Sequence, residues 1–522
     1  MNSEPTLRLT QALHRAVQQH GDRLATVFGA RRQSYRALAA RVARLASGLF
    51  ALGVTPGDRV GVLLLNSDHY LEATLACWWT GAVLTPINTR WSAAEVAFSM
   101  NDCETPVLLI DRHHLAMLDA LRAAVPVLKH VVFADDGPAP DGLLDIEALI
   151  ASHAPIEDAR IGDDALAGIF YTGGTTGRPK GVMLSHRNLY VAALGFLGED
   201  YSVGADITLQ TAPLFHMAGM SSLVNALFTG GRHVFLSAFT PEAVLHAISS
   251  EGVTSMLLVP TMIHRLVEHP RLASHDLRSL LRLQYAAAPM SSALLERALA
   301  ALPNCRFVQA YGMTELAPHA TVLPSRYLLE DRHLGKSASV GHAVRHTEVR
   351  IVDAEGQEVP RGTVGEIVVS GPNVMQGYWR RPAETAAVLR DGWLHTGDGG
   401  HMDEDGFVFL ADRLKDMIIS GGENIFSVEV ENALAQHPSV SMCAVVGLPS
   451  ETWGEAVHAV VVLRPGASVT PEELQLHCRS LIASYKCPRS FEFRVELPLS
   501  GTGKVLKNEL RAAYRATAAK AD

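Results

Sequence analysis

The residues best equipped for chemistry crowd into one stretch, Thr172-Gly173-Gly174-Thr175-Thr176-Gly177-Arg178-Pro179-Lys180-Gly181. Glycines lack a Cβ and let backbone approach a ligand closely. Successive N–H groups in such a turn form a concave anion site. Thr172, Thr175 and Thr176 add hydroxyls, and Lys180 adds a positive charge. That is the chemistry of a polyphosphate cradle. It differs from the G-x-x-x-x-G-K-S/T loop, because Pro179 precedes the lysine and Gly181 follows it. A plain surface loop of glycine and threonine would need neither this density of hydroxyls nor the lysine.

A second cluster is Phe307-Val308-Gln309-Ala310-Tyr311-Gly312-Met313-Thr314-Glu315. A strand here delivers an aromatic, a glycine, a hydroxyl and a carboxylate at its C-terminal end, where open α/β sheets place their ligands. Other candidates are weaker alone. His216, within Pro213-Leu214-Phe215-His216-Met217, has the setting of a satisfied core histidine. Tyr285-Ala286-Ala287-Ala288-Pro289 reads as a strand entering a tight turn of small residues. Asp398 in Thr396-Gly397-Asp398 is a turn carboxylate of a kind usually just solvated. Lys504, after Gly501-Thr502-Gly503, would ordinarily be surface charge.

Helices and strands must alternate to hold these residues. Helical periodicity runs over 7–53, through Leu38, Val42, Leu45, Leu49 and Leu52. Apolar runs at 59–65, 106–111, 130–134, 166–171 and 254–259 read as strands, and 70–79 and 292–302 as helices. Such alternation argues for parallel sheets with helices on their faces. Short strands between Gly and Pro turns over 348–370 suggest a small β subdomain. The charged run 411–425 fits an exposed linker and a domain boundary, after which a small domain alternates helix and strand. The expected fold is α/β: a large N-terminal domain of helix-flanked sheets plus a small β subdomain, residues 1–414, then a small α+β C-terminal domain, residues 415–522.

Taken together, the motifs resemble those of the AMP-forming, adenylate-forming enzymes: acyl-CoA synthetases, luciferases and peptide-synthetase adenylation domains. The resemblance spans essentially the whole chain, with five motifs in family order. Relatives usually carry Tyr-Thr-Ser-Gly-Thr-Thr-Gly, so Gly173 here lacks a serine hydroxyl. The resemblance implies ATP held by Thr172, Gly173, Gly174, Thr175, Thr176, Gly177 and Lys180, with Ala287, Ala288 and Pro289 under the adenine. It adds Tyr311, Gly312, Met313, Thr314 and Glu315, with Asp398 and Arg413 on the ribose. Mg²⁺ would sit on Glu315 and Thr172. Catalytic roles fall to Lys504, Thr314 and His216, and an acyl pocket to His216, Met217, Ala286 and Gly312. CoA would pass beside Gly421-Gly422, and Lys415, where relatives often have aspartate, would be the hinge of a mobile C-terminal domain.

The implied reaction is acyl-AMP and pyrophosphate formation from a carboxylic acid and ATP, followed by thioester formation with CoA. His216, Met217, Ala218, Met220, residues 286–288, Gly312 and Met313 would make a mainly apolar pocket without a fixed cation. That suits a medium- to long-chain fatty acid first and a 4-coumarate-like aryl acid second. A peptide-synthetase domain would be followed by a carrier domain, and the chain ends soon after Lys504. A nucleotide sensor would need neither Lys504 nor Gly421-Gly422. A net charge of −9 argues against a nucleic-acid partner. Six cysteines without a C-x-x-C pair fit a reducing compartment. With no signal peptide and no apolar run of spanning length, the expectation is a cytoplasmic enzyme, and a homo-oligomer is left open.

Overall fold

The computed structural model describes residues 6–172, 179–200, 206–413, 416–420, 423–450, 452–500 and 503–518. An eight-stranded sheet runs in the order Gly377–Tyr378, Lys180–Ser185, Leu166–Thr172, Val83–Pro86, Arg59–Leu63, Val107–Ile110, His130–Phe133 and Leu144–Asp145. From Leu166–Thr172 onward the strands are parallel. A nine-stranded sheet is parallel from Leu24–Phe28 through Arg232–Phe235, Ile207–Gln210, Ser255–Leu258 and Arg282–Ala286 to Arg306–Gly312. Antiparallel strands close both its edges, Arg31–Ser34 on one side and His319–Leu323 with His342–Ala343 on the other. The alternation of strand and helix in the sequence requires this parallel interior.

Helix Asp68–Thr80 touches strands of both sheets and is buried along its whole length. Ser67 caps its first turn, and Gly81 ends it in the left-handed conformation (φ 77°). Two carboxylates survive inside it because each is paired. Arg31 grips Asp68 through two bonds of 2.8 and 2.6 Å. Glu72 accepts from Arg41 at 2.6 Å and meets His69 at 3.1 Å. Burial alone would raise the Glu72 pKa, but these two partners bring it down to about 2.

Strands Glu348–Val352, Gly365–Ser370, Trp393–Met402 and Leu389–Arg390, with Val408–Arg413 beside Trp393–Met402, form the expected small β subdomain. The C-terminal domain is a five-stranded sheet with helices Ser427–Ala435, Pro471–Leu481 and Lys507–Ala518, around its own core of Ile418, Val430, Leu434, Val445 and Val461. A large N-terminal and a smaller C-terminal α/β unit are therefore present, while the expected junction at 414/415 lies outside the described residues.

One stretch differs from the periodicity. Residues 7–53 hold helices Thr10–His20 and Tyr35–Ala51 separated by a hairpin, Leu24–Phe28 and Arg31–Ser34. Gly29, at φ +54°, makes that turn. Leu38, Val42, Leu45 and Leu49 do lie buried along the second helix.

Candidate active site

The ends of the glycine-rich stretch are held opposite each other: Thr172 and Lys180 are register partners on adjacent antiparallel strands. Gly173, Gly174, Thr175, Thr176 and Gly177 lie outside the described residues. Lys180 Nζ pairs with Glu384 at 2.6 Å and lies 5.0 Å from the centre of the Tyr378 ring. The Tyr378 hydroxyl donates to Glu315 Oε1 at 2.8 Å. Tyr378 thus joins the lysine of the first motif to the carboxylate of the second, and no sequence motif singled it out.

Strand Arg306–Gly312 brings up Tyr311, whose hydroxyl donates to Asp398 Oδ2 at 2.8 Å. Two motifs separated along the chain therefore meet side by side. Strand Trp393–Met402 carries Asp398 and pairs it with Arg413 on Val408–Arg413. Gly312 is required sterically, since a Cβ there would lie 1.7 Å from the Pro318 carbonyl oxygen. Beyond it Met313 leads into a short turn, Thr314–Leu316, which buries Thr314 and Glu315. Across from this, strand Arg282–Ala286 ends in Ala287 at φ +74°, with Ala288 half-buried and Pro289 exposed. A left-handed alanine costs about 1–2 kcal/mol, so the tight turn is held by its surroundings.

His216 caps helix Met217–Thr229, its Nδ1 accepting from the Ala218 N–H at 3.3 Å. Removal from water, reinforced by the nearby Lys504 ammonium, pulls its pKa down to about 3. The imidazole is therefore neutral at physiological pH, and with Nδ1 accepting, its proton sits on Nε2. Met217 is buried in the main core.

Lys504 arrives from the C-terminal domain on a turn that hydrogen-bonds itself: Ser500 N–H to the Lys504 carbonyl at 2.7 Å, and Lys504 N–H to Ser500 Oγ at 3.1 Å. The Lys504 ammonium acts electrostatically on His216 of the N-terminal domain.

Behind Ala286 and Gly312 the wall turns polar. Gln284 shares the face of Ala286, two residues on, and His319 is the register partner of Gly312. Both are buried, with Gln284 Nε2 3.4 Å from His319 Nε2. His319 stacks on Phe196 with ring centres 4.5 Å apart. Its Nδ1, and both ring nitrogens of nearby His346, have no hydrogen-bond partner among the described residues. Burial, with His346 beside it, pulls the His319 pKa down to about 3.

The structure thus links Lys180 to Glu315 through Tyr378, sets Tyr311 against Asp398, and brings Lys504 within electrostatic reach of His216. Lys415, Gly421 and Gly422 lie outside the described residues, as does the Arg413 side chain. Gln284 and His319 were missed, because each belongs to an apolar strand whose pattern gives no warning of the pairing.

This architecture and cleft are those of an enzyme that activates a carboxylate with a nucleotide. Residues 13–379 match the AMP-binding enzyme family, and residues 429–504 match the AMP-binding enzyme C-terminal domain. The chain is 42% identical to a feruloyl-CoA synthase of Amycolatopsis sp over 98% of its own length and 99% of that protein. It is 34% identical to the medium/long-chain-fatty-acid–CoA ligase FadD8 of Mycobacterium tuberculosis, over 96% and 89%. The crystal structure of the anthranilate CoA ligase AuaEII in complex with anthranoyl-AMP superposes with a TM-score of 0.91 at 26% identity, covering 98% of both chains. The chain belongs to the AMP-binding enzyme family, among its AMP-forming acyl-CoA synthetases. It is an ATP-dependent acid–thiol ligase with CoA as co-substrate.

Proposed function

We propose that the chain converts a hydroxylated aryl-alkenoic acid of the feruloyl kind to its CoA thioester by way of an acyl-adenylate. In the first step the acid's carboxylate attacks the α-phosphorus of ATP and expels pyrophosphate. Such chemistry needs positioning and charge neutralisation more than covalent help. Lys180 and the stretch it closes hold the leaving phosphates. Glu315 and Thr172 offer the hard oxygens that Mg²⁺ on a nucleotide takes from proteins, one or two at a time. They would hold that ion, whose charge offsets the polyphosphate. Thr314 donates to the α-phosphate, and Lys504 stabilises charge gathering between carboxylate and phosphorus. Neutral His216 presents Nε2–H to the carboxylate without adding a competing charge. Tyr311 forms a face for the adenine, and Asp398 and Arg413 serve the ribose. In the second step the CoA thiol, led past Gly421 and Gly422, displaces AMP once the C-terminal domain has turned about Lys415. Six free cysteines suit a cytoplasmic setting for this reaction.

The observation that carries the choice of acid is the buried Gln284–His319 pair. A buried imidazole nitrogen without a partner costs about 1–3 kcal/mol, and either tautomer of His319 leaves Nδ1 unpaired. A phenolic hydroxyl satisfies it as donor or acceptor; a methylene chain does not. Fatty acids are the second reading, favoured by the partly exposed apolar side chains of Met313 and Ala286. The test is CoA-dependent pyrophosphate release with ferulate, 4-coumarate, cinnamate and C8–C16 fatty acids. A site built to pair a hydroxyl discriminates strongly against its absence, so kcat/KM for 4-coumarate should exceed that for cinnamate by at least about tenfold. His319→Phe should erase the difference. Equal or better use of cinnamate or of a fatty acid would defeat the hydroxyaryl reading.

A further inference from the structure

Helix Pro260–Val267 of the N-terminal domain is oriented toward the C-terminal domain in a way the reaction itself does not explain. The Thr261 hydroxyl donates to the Gly503 carbonyl at 3.1 Å, one residue before Lys504. One turn on, His264 Nε2 meets Ser441 Oγ at 3.2 Å. At the helix end Glu268 pairs with Arg464 at 3.2 Å and with Arg297 of its own domain at 3.0 Å. Positions 261, 264 and 268 are spaced by three and four, which aligns them on one helix face. A second side chain reaches the other end of the lysine turn: Arg90 donates to the Ser500 carbonyl at 3.2 Å. Gly503 is needed for the fit, as its φ is +79° and a Cβ would lie 2.7 Å from Thr261 Oγ1.

We propose that Thr261 is a positioning residue for Lys504, and that the face Thr261–His264–Glu268 holds the C-terminal domain in the orientation that serves adenylation. The proposal rests on the reading of Lys504 as the adenylation lysine. Thr261 and Arg90 bond to the two carbonyls that bracket the turn, so they fix backbone rather than the ammonium itself. Their loss leaves Lys504 chemically intact but less often in place. The contacts exist only while the domain is docked this way. The step that uses CoA, for which the domain turns, does not depend on them.

The test separates the half-reactions. Acid-dependent ATP–pyrophosphate exchange reads the first, and CoA thioester formation from supplied acyl-adenylate reads the second. Thr261→Val, which removes the hydroxyl at constant shape, should slow exchange about tenfold through kcat, the scale of one hydrogen bond, with thioester formation unchanged. Thr261→Ser should restore exchange, and Arg464→Ala should give a smaller loss in the same step. Equal loss in both half-reactions, or no loss in either, overturns the proposal. Lys504→Ala in the same assay keeps the two readings apart. If that variant retains exchange, the lysine reading falls. If it loses exchange while Thr261→Val does not, only the positioning role falls.

Discussion

The two halves of the cleft treat their polar groups in opposite ways. On the nucleotide side each charged group already has a protein partner: Lys180 with Glu384, Glu315 with Tyr378, Asp398 with Tyr311. Behind Ala286 and Gly312 the buried polar atoms are short of partners, with His319 Nδ1 and both nitrogens of nearby His346 unpaired among the described residues. On the proposed assignment of these groups to ATP, the nucleotide would exchange existing bonds for new ones, and part of its binding energy would go into displacing them. On the proposed reading, an acid hydroxyl paired with His319 Nδ1 would instead gain a bond outright. Discrimination among acids should accordingly be steep, whereas ATP affinity should respond only modestly to single changes.

Lys504 carries the proposed adenylation chemistry, so its removal should have the largest effect. Lys504→Ala should slow adenylate formation by about 10²–10³-fold, the scale of losing one preorganised charge-stabilising donor, with thioester formation from supplied acyl-adenylate spared. Slowing of the second step alone would contradict the assignment. Next in size is an effect of the acyl side on stability. His319 stays neutral in the fold down to about pH 3, whereas an unfolded histidine takes up its proton near pH 6.5. Between those values the unfolded chain binds the extra proton, so stability is fully present above pH 6.5 and falls as the pH drops. At pH 5 this one residue costs about 2 kcal/mol. His319→Gln should flatten the decline of ΔG of unfolding between pH 7 and pH 5 by about that amount. An unchanged slope would mean that His319 is protonated or solvated in the native protein.

The same contrast explains what could be read from sequence. Thr314, Glu315 and Lys504 stand out in the sequence because each sits in a short motif whose residue types are close neighbours in the chain. Tyr378 was not, since its bond to Glu315 spans 63 residues, and Thr261 reaches Gly503 across 242. Nothing local in Gly377-Tyr378 or Pro260-Thr261 encodes such a partner. Gln284 and His319, 35 residues apart, become neighbours only because their strands flank Arg306–Gly312 in the same sheet. The parallel interior followed from alternation of helix and strand. The hairpin Leu24–Phe28 and Arg31–Ser34 did not, because leucines spaced for the following helix masked a short β-branched segment. His216 is intermediate: its type was visible, but its tautomer depends on a bond to the Ala218 N–H.

On the nucleotide side the comparison can be sharpened by smaller effects. Tyr378→Phe removes the donor that orients Glu315 and should raise the KM for MgATP several-fold, on the order of one hydrogen bond to a charged group. An unchanged KM would show that the hydroxyl is dispensable once nucleotide is bound. Glu384→Gln works in the other direction. Glu384 and Lys180 are partly exposed, at 37% and 23% of the side chain, so their attraction is screened and worth about 0.2–1 kcal/mol. Releasing Lys180 from that pair leaves it for phosphate, and the KM for ATP should fall by about two- to threefold. Raising the salt to about 1 M shortens the screening length to about 3 Å and should remove the difference between variant and parent. If the KM rises instead, Glu384 steers the ammonium toward the phosphates rather than competing with them. The paired groups on this side would then be prearranged for ATP, as the open groups on the other side are for the acid.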